Sequence, residues 1–289
     1  DKPWVGPYGP AVSRDGESWS WRVSWTPTRF SYSFRDDARV YFAHDLLYAP
    51  ARFEALTREL GLRRETLCVS ERGRDVPYVR FGTGAHSILL TARHHACESP
   101  GSYVLEGVLR SLLREPVPDC RVIAVPFVDY DGVTDGDPGK NRRPHDHNRD
   151  YIDEPLYASV RALQSIIRRE DVRYMFDFHA PGHIGFENDY AFIPRDGAPW
   201  LSLQCRFGEL LEQSLVPGAF PYSRAHDVPP NTGWNQDAEM ATSSSGGALR
   251  GPCMRLMVAL ETSYYGLPDA PVTHDGLLRL GASVAEALR

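Results

Sequence analysis

His95 and Glu98 stand three residues apart in Arg93-His94-His95-Ala96-Cys97-Glu98-Ser99, between an apolar run and a helical pattern. Ser87-Ile88-Leu89-Leu90-Thr91-Ala92 reads as a buried strand, and Ser102 to Leu113 carries apolar residues at helical spacing. An imidazole and a carboxylate so placed at a strand-to-helix turn can point at one metal ion. Zinc takes imidazole nitrogen and carboxylate oxygen at about 2.0–2.2 Å, and a catalytic zinc site combines three protein ligands with an open position. His179 is the third candidate: it follows the strand-like Tyr174-Met175-Phe176-Asp177-Phe178 and precedes Ala180-Pro181-Gly182. Each motif alone is common, and a single histidine after a strand is more often structural than ligating. At two strand ends together, His95, Glu98 and His179 make a two-His, one-Glu zinc triad.

A base for such a site is at hand. Glu261 terminates the apolar run Met254-Arg255-Leu256-Met257-Val258-Ala259-Leu260. A carboxylate beside a buried strand is costly unless paired or solvated in a cleft, so Glu261 reads as a general base for activated water or as a solvated strand end. Gly139 to Tyr151, Gly-Lys-Asn-Arg-Arg-Pro-His-Asp-His-Asn-Arg-Asp-Tyr, gathers cations in a turn-rich loop. Arginine forks fit carboxylates bidentately, so several here could bind an anionic substrate terminus. Cys97 could be a thiolate ligand, although free cysteine is more often simply buried.

The elements that must position these residues alternate. Helix is expected over Ala51–Leu60, strands flank Arg72-Gly73-Arg74-Asp75, and strands and helices then follow in turn. Cys120–Val128 reads as strand, Pro155–Arg169 as helix and Val172–Phe178 as strand. Leu201–Leu215 reads as helix, Met254–Glu261 as strand and Gly276–Leu288 as the closing helix. This argues for an α/β sheet with helices on its faces, whose ligands sit beyond the carboxyl ends of strands. Ser18 to Phe34 and Ala38 to Ala43 differ, suggesting a small antiparallel β unit. Thr242 to Gly247 is a loop that could line or cover a site.

At 289 residues with net charge −6, the chain suits one large domain, or one with a small companion, and neither nucleic acid nor an anionic membrane is an expected partner. Lysine occurs only at Lys2 and Lys140. No apolar run approaches the ~18 residues of a membrane span. Five scattered cysteines without a Cys-x-x-Cys pair argue for a reducing compartment.

Together these residues resemble a zinc carboxypeptidase, closest to the cytosolic branch of that family, from about Arg29 to Gly266. The likeness rests on Val40-Tyr41-Phe42-Ala43, His95-Ala96-Cys97-Glu98-Ser99, Asp131-Gly132-Val133, Asp146-His147-Asn148-Arg149, Asp177-Phe178-His179 and Leu260-Glu261-Thr262-Ser263-Tyr264, in family order. It implies an α/β fold, a mixed central sheet with helices on both faces, preceded by a small antiparallel β unit. The corresponding division is an N-terminal β domain over 1–48 and a catalytic domain over 49–289. It implies one zinc per chain held by His95, Glu98 and His179, with Asp146 orienting His95. Asn148 and Arg149 would grip the substrate's terminal carboxylate, and Glu261 would be the base. The oxyanion-stabilising cation would be Lys140, Arg142 or Arg143, with Arg142 preferred and Arg143 left to substrate binding. Ser223 to Ser263 contains no tyrosine, so the role of the digestive members' loop tyrosine is vacant or filled differently, as by Trp234. A basic side chain near Gly246-Gly247, where Arg250 is close, would favour acidic residues.

The expected activity is zinc-dependent removal of a C-terminal residue from a peptide with a free carboxylate, in the cytoplasm. The alternative is a metal-dependent deacylase or amidohydrolase of an N-acyl amino acid or peptide-like metabolite. A non-catalytic binding module is a third reading. Oligomeric state stays open.

Overall fold

The computed structural model describes residues 8–21, 24–26, 29–36, 39–181, 189–197, 200–235, 244–245, 251–267 and 269–289. Short strands come first: β1 (Ala11–Ser13), β2 (Ser20–Trp21), the antiparallel pair β3 (Ser24–Thr26) and β4 (Arg29–Ser31), and β5 (Tyr41–Ala43). β1 lies between β2 and β5 in an antiparallel sheet, the small β unit that the patterning suggests. Ala11 and Trp19 from this region join the main hydrophobic core, and the Trp21 indole donates to Val272 O at 2.9 Å.

The remaining elements are α1 (Pro50–Glu59), β6 (Arg64–Val69), β7 (Asp75–Phe81), β8 (His86–Ala92), α2 (Ser99–Arg114), β9 (Cys120–Val125), α3 (Tyr130–Asp135), α4 (Ala158–Arg169), β10 (Val172–His179), α5 (Leu201–Gln213), β11 (Leu256–Glu261), β12 (Gly266–Leu267), β13 (Ala270–Pro271) and α6 (His274–Ala287). The expected elements are all present, with shifted ends. Helix α2 begins a turn earlier than its apolar pattern because Pro100 starts it, where a missing N–H costs nothing. A 3-10 turn, His147–Arg149, sits inside the cationic loop.

Six strands form the central sheet in the order β11-β10-β8-β9-β7-β6. The first four run parallel, while β7 and β6 are antiparallel, so the sheet is mixed. Side chains alternate along a strand, which divides the core in two. Ile88, Leu90, Phe176, Phe178, Val258 and Leu260 pack with residues of α2 and α6. Leu89, Ile123, Met175 and Met257 face α4 through Val160, Leu163 and Ile167. Helices therefore cover both faces. From β8 the chain passes through α2 to β9 on one side, then through α4 back to β10 on the other. The carboxyl edge between β8 and β10 is the switch point where ligands of open α/β sheets bind. No helix among the described residues is long and apolar enough to cross a membrane.

Candidate metal centre

β8 ends at Ala92, and Arg93 then turns the chain with a left-handed φ of 61°. Its side chain is almost wholly buried and donates from Nε to Ala96 O at 2.8 Å, and from Nη1 to Tyr48 O at 3.1 Å and Ser102 Oγ at 3.3 Å. This clamp sets the loop that carries His94, His95 and Glu98. Glu98 is the N-cap residue of α2, where the helix dipole favours a negative charge.

The two oxygens of Glu98 meet two imidazoles. His95 Nδ1 lies 2.7 Å from Oε1, and His179 Nδ1 lies 2.8 Å from Oε2. His179 arrives from the end of β10, next to β8, so strand pairing brings residues 81 positions apart together. The far nitrogens face carboxylates as well: His95 Nε2 is 3.6 Å from Asp146 Oδ1, and His179 Nε2 is 2.7 Å from Asp177 Oδ2. Burial pushes the Glu98 carboxyl upward, but His95, Lys140 and His179 reverse this and hold it well below the usual range. His179 is pulled the other way: burial lowers it, and Asp177 and Glu98 together carry it well above the ordinary histidine value.

Lys140 is the cation at this point, with Nζ 2.7 Å from Glu98 Oε1 and 3.3 Å from Ala180 O. A close-packed loop puts it there. Gly139 adopts a φ of 78°, and a Cβ on it would fall 2.5 Å from Ala96 N, while Cys97 N donates to Pro138 O at 3.1 Å. Only glycine allows that approach. Arg142 is engaged elsewhere: Nη2 lies 2.7 Å from Asp129 Oδ2 and 3.3 Å from Asp137 Oδ2. Arg142 and Arg143 line a cavity of about 370 Å³ with Asp131, Asp137, His147 and Tyr157, which includes none of His95, Glu98 or His179. Asp131 itself accepts from Ser70 Oγ and Arg74 Nη1, both at 2.9 Å, tying the β6–β7 turn to α3.

Glu261 ends β11 in register with His179. Its Oε2 is buried and has no hydrogen-bond partner among the described residues. Burial raises its carboxyl above the usual range, and the neighbouring Glu98 charge adds to that. Asp146 caps the 3-10 turn by accepting from Asn148 N at 2.9 Å, and so links Asn148 and Arg149 to the side chain facing His95. Arg149 Nη1 donates to Asn148 O at 3.0 Å. Trp234 is 41% exposed and sits 6.2 Å, ring to ring, from Phe192, whose backbone pairs with Glu261. Cys97 Sγ faces the Tyr264 hydroxyl at 3.5 Å. Gly182, Arg250, the Gly246-Gly247 pair and all of Thr242 to Gly247 except Ser244 and Ser245 lie outside the described residues.

Among the described residues, two groups could hold an ion: His95, Glu98 and His179, and His94, Asp177 and His179, each with ligand atoms within 4.8 Å of one another. His94 Nδ1 is 2.9 Å from Asp177 Oδ1, and its Nε2 is 2.6 Å from the Tyr151 hydroxyl. Periodicity does not mark His94 or Tyr151 as important. Asp177 carries a signal, because a carboxylate two residues before His179 in an apolar strand shares its face.

The donor set suits a divalent cation. Two imidazole nitrogens and a carboxylate oxygen converge, both far nitrogens are backed by carboxylates, and an unpartnered Glu261 oxygen is buried nearby.

No protein-family profile matches the chain. It is 27% identical to cytosolic carboxypeptidase 2 of Xenopus tropicalis over 72% of its own length, and spans 24% of that protein. Its fold is similar to a metallo-carboxypeptidase from Burkholderia cenocepacia, with a TM-score of 0.77 and 16% identity, covering 99% of this chain and 80% of that one. A metallo-carboxypeptidase from Pseudomonas aeruginosa, solved with (2-guanidinoethylmercapto)succinic acid, has a TM-score of 0.72 and 20% identity over 99% and 80%. Carboxypeptidase A from Helicoverpa armigera has a TM-score of 0.59 and 12% identity over 85% and 73%. The chain is thus similar in sequence to a cytosolic carboxypeptidase, and its fold is that of metallo-carboxypeptidases.

Proposed function

We propose that the chain is a zinc-dependent metallocarboxypeptidase that hydrolyses the C-terminal amide bond of a peptide. The observation that supports this most is the meeting of the His95 and His179 Nδ1 atoms at the two oxygens of Glu98, beside the unpartnered Glu261 oxygen. His95, Glu98 and His179 would hold one zinc ion. When bound, zinc acts as a Lewis acid that polarises a carbonyl and lowers the pKa of water to about 7.

The remaining work falls to side chains. Glu261 Oε2 takes the proton of the attacking water and returns it to the departing amine. Lys140, against Glu98, stabilises the oxyanion that develops on the scissile carbonyl. Arg142, preferred from the sequence, is the less suitable cation because Asp129 and Asp137 hold it on another carboxylate pair, whereas Lys140 lies at Glu98 itself. Asn148 and Arg149 bind the terminal carboxylate, and Arg143 lies on the outer part of the same loop. Asp146 and Asp177 fix the ring planes of His95 and His179. A succinic acid derivative bound to the Pseudomonas protein fits carboxylate recognition in this fold. The relative's name and the five free cysteines support a cytosolic setting, and residues 1–48 form the unit preceding a catalytic domain over 49–289.

The test pairs zinc analysis with hydrolysis of matched peptides bearing free or amidated C-termini. One zinc per chain with cleavage of free-carboxylate peptides alone is expected. Indifference to amidation would point to a deacylase, and bound zinc without turnover on any peptide would point to a binding module.

A further inference from the structure

We propose that Asp177, through Ser245, joins the cation ligand His179 to Asn148, so that cation binding and carboxylate binding share one buried network. The inference rests on the reading above and concerns how the two halves of the site are held together.

Asp177 is fully buried in β10 and points to the same side as His179. Its Oδ1 accepts from Thr91 Oγ1 at 2.8 Å and faces His94 Nδ1 at 2.9 Å. Its Oδ2 faces His179 Nε2 at 2.7 Å and accepts from Ser245 Oγ at 2.5 Å. Four partners occupy the roughly four lone-pair sites of an ionised carboxylate. Thr91 is directly opposite Asp177 in the strand register, so the anchor belongs to the rigid sheet.

Ser245 reaches the other way as well. Its backbone N and its Oγ both lie 3.1 Å from Asn148 Oδ1. A hydroxyl has one proton, and the shorter contact to a carboxylate is the stronger, charge-assisted one. The hydroxyl therefore serves Asp177, and the backbone N–H serves Asn148. With Oδ1 occupied, the Asn148 amide is oriented so that its NH2 end remains as the donor for a substrate carboxylate. One side chain thus braces His179 and, through one serine, sets the Asn148 amide.

The test uses the full chain, zinc, and (2-guanidinoethylmercapto)succinic acid as a carboxylate probe, with zinc affinity measured by chelator competition and probe binding by calorimetry. Asp177→Asn should weaken zinc by about 10–100-fold and weaken the probe as well. Ser245→Ala should weaken the probe about tenfold, leave zinc affinity within about threefold, and be rescued by Ser245→Thr. In the Asp177→Asn background, Ser245→Ala should have little further effect on the probe. Ser245→Ala leaves the other three partners of Asp177 intact, so it tests the link even where Asp177→Asn does not fold. Unchanged probe binding in Ser245→Ala, or fully additive effects, would overturn the coupling alone. Wild-type protein binding neither zinc nor probe would overturn the underlying site. Two zinc ions per chain, the second lost in His94→Ala, would make the network itself a metal site and end the proposal.

Discussion

The two ends of β8 and β10 carry the same chemistry in opposite surroundings. At the amino end, His86 lies between Asp171 at 2.7 Å and Asp119 at 3.2 Å, with side chains 20%, 31% and 64% exposed. At the carboxyl end, His179 lies between Asp177 at 2.7 Å and Glu98 at 2.8 Å, with side chains 4%, 0% and 2% exposed. Water screens the first cluster, so its charges interact weakly, and Arg173 Nε comes no nearer to Asp171 than 3.5 Å. The second is shut from water, where each charge demands a partner and a cation is the natural one. Residue type does not separate the two clusters. Burial and the arrival of Glu261 and Lys140 do.

The comparison can be broken most severely at the buried end. Glu261→Gln should retain zinc yet lower kcat/KM on a free-carboxylate peptide by about 10³-fold, since an amide cannot accept the water's proton. Near-wild-type rates would remove Glu261 from its role. Lys140→Ala should lower kcat by about 10²-fold with the fold intact. Arg142→Ala should instead lower unfolding free energy by about 2 kcal/mol by leaving buried Asp129 without its cation. Urea titration beside kinetics separates these two, and exchanged phenotypes would reassign the oxyanion cation to Arg142.

At the exposed end, His86→Ala should cost less than about 1 kcal/mol and leave zinc content and turnover unchanged. A metal or activity defect there would mean the two ends are coupled.

The smallest effect concerns pH. Burial lowers His274, which stacks on Tyr103, to about 4, against about 6.5 in an unfolded chain. Between those values the unfolded state binds more protons, so His274 subtracts stability as pH falls from about 6.5 towards 4. His274→Phe should lose less Tm than wild type between pH 7 and pH 5, and equal losses would count against this assignment.

Much of the site is legible in the chain because it lies in local patterns. An apolar run followed by His-x-x-Glu at a helix start marks His95 and Glu98, and the ends of two further strands mark His179 and Glu261. The cationic loop is harder to read. Lys140 and Arg142 are two residues apart, and loop pattern alone does not say which one faces Glu98. The close approach of Gly139 to Ala96 decides it, and Asp129 captures Arg142. Ser245 is hidden for a similar reason, because its partners Asn148 and Asp177 are 97 and 68 positions away.

Composition and periodicity by themselves determine that strands and helices alternate, which faces are apolar, and that polar residues gather at strand ends, since each depends on neighbours within a few residues. The tertiary structure alone decides that His94 turns to Asp177 while its neighbour His95 turns to Glu98. That choice depends on the left-handed turn at Arg93 and on which strand lies beside β8. Both follow from long-range packing, where partners distant in the chain compete for the same buried space.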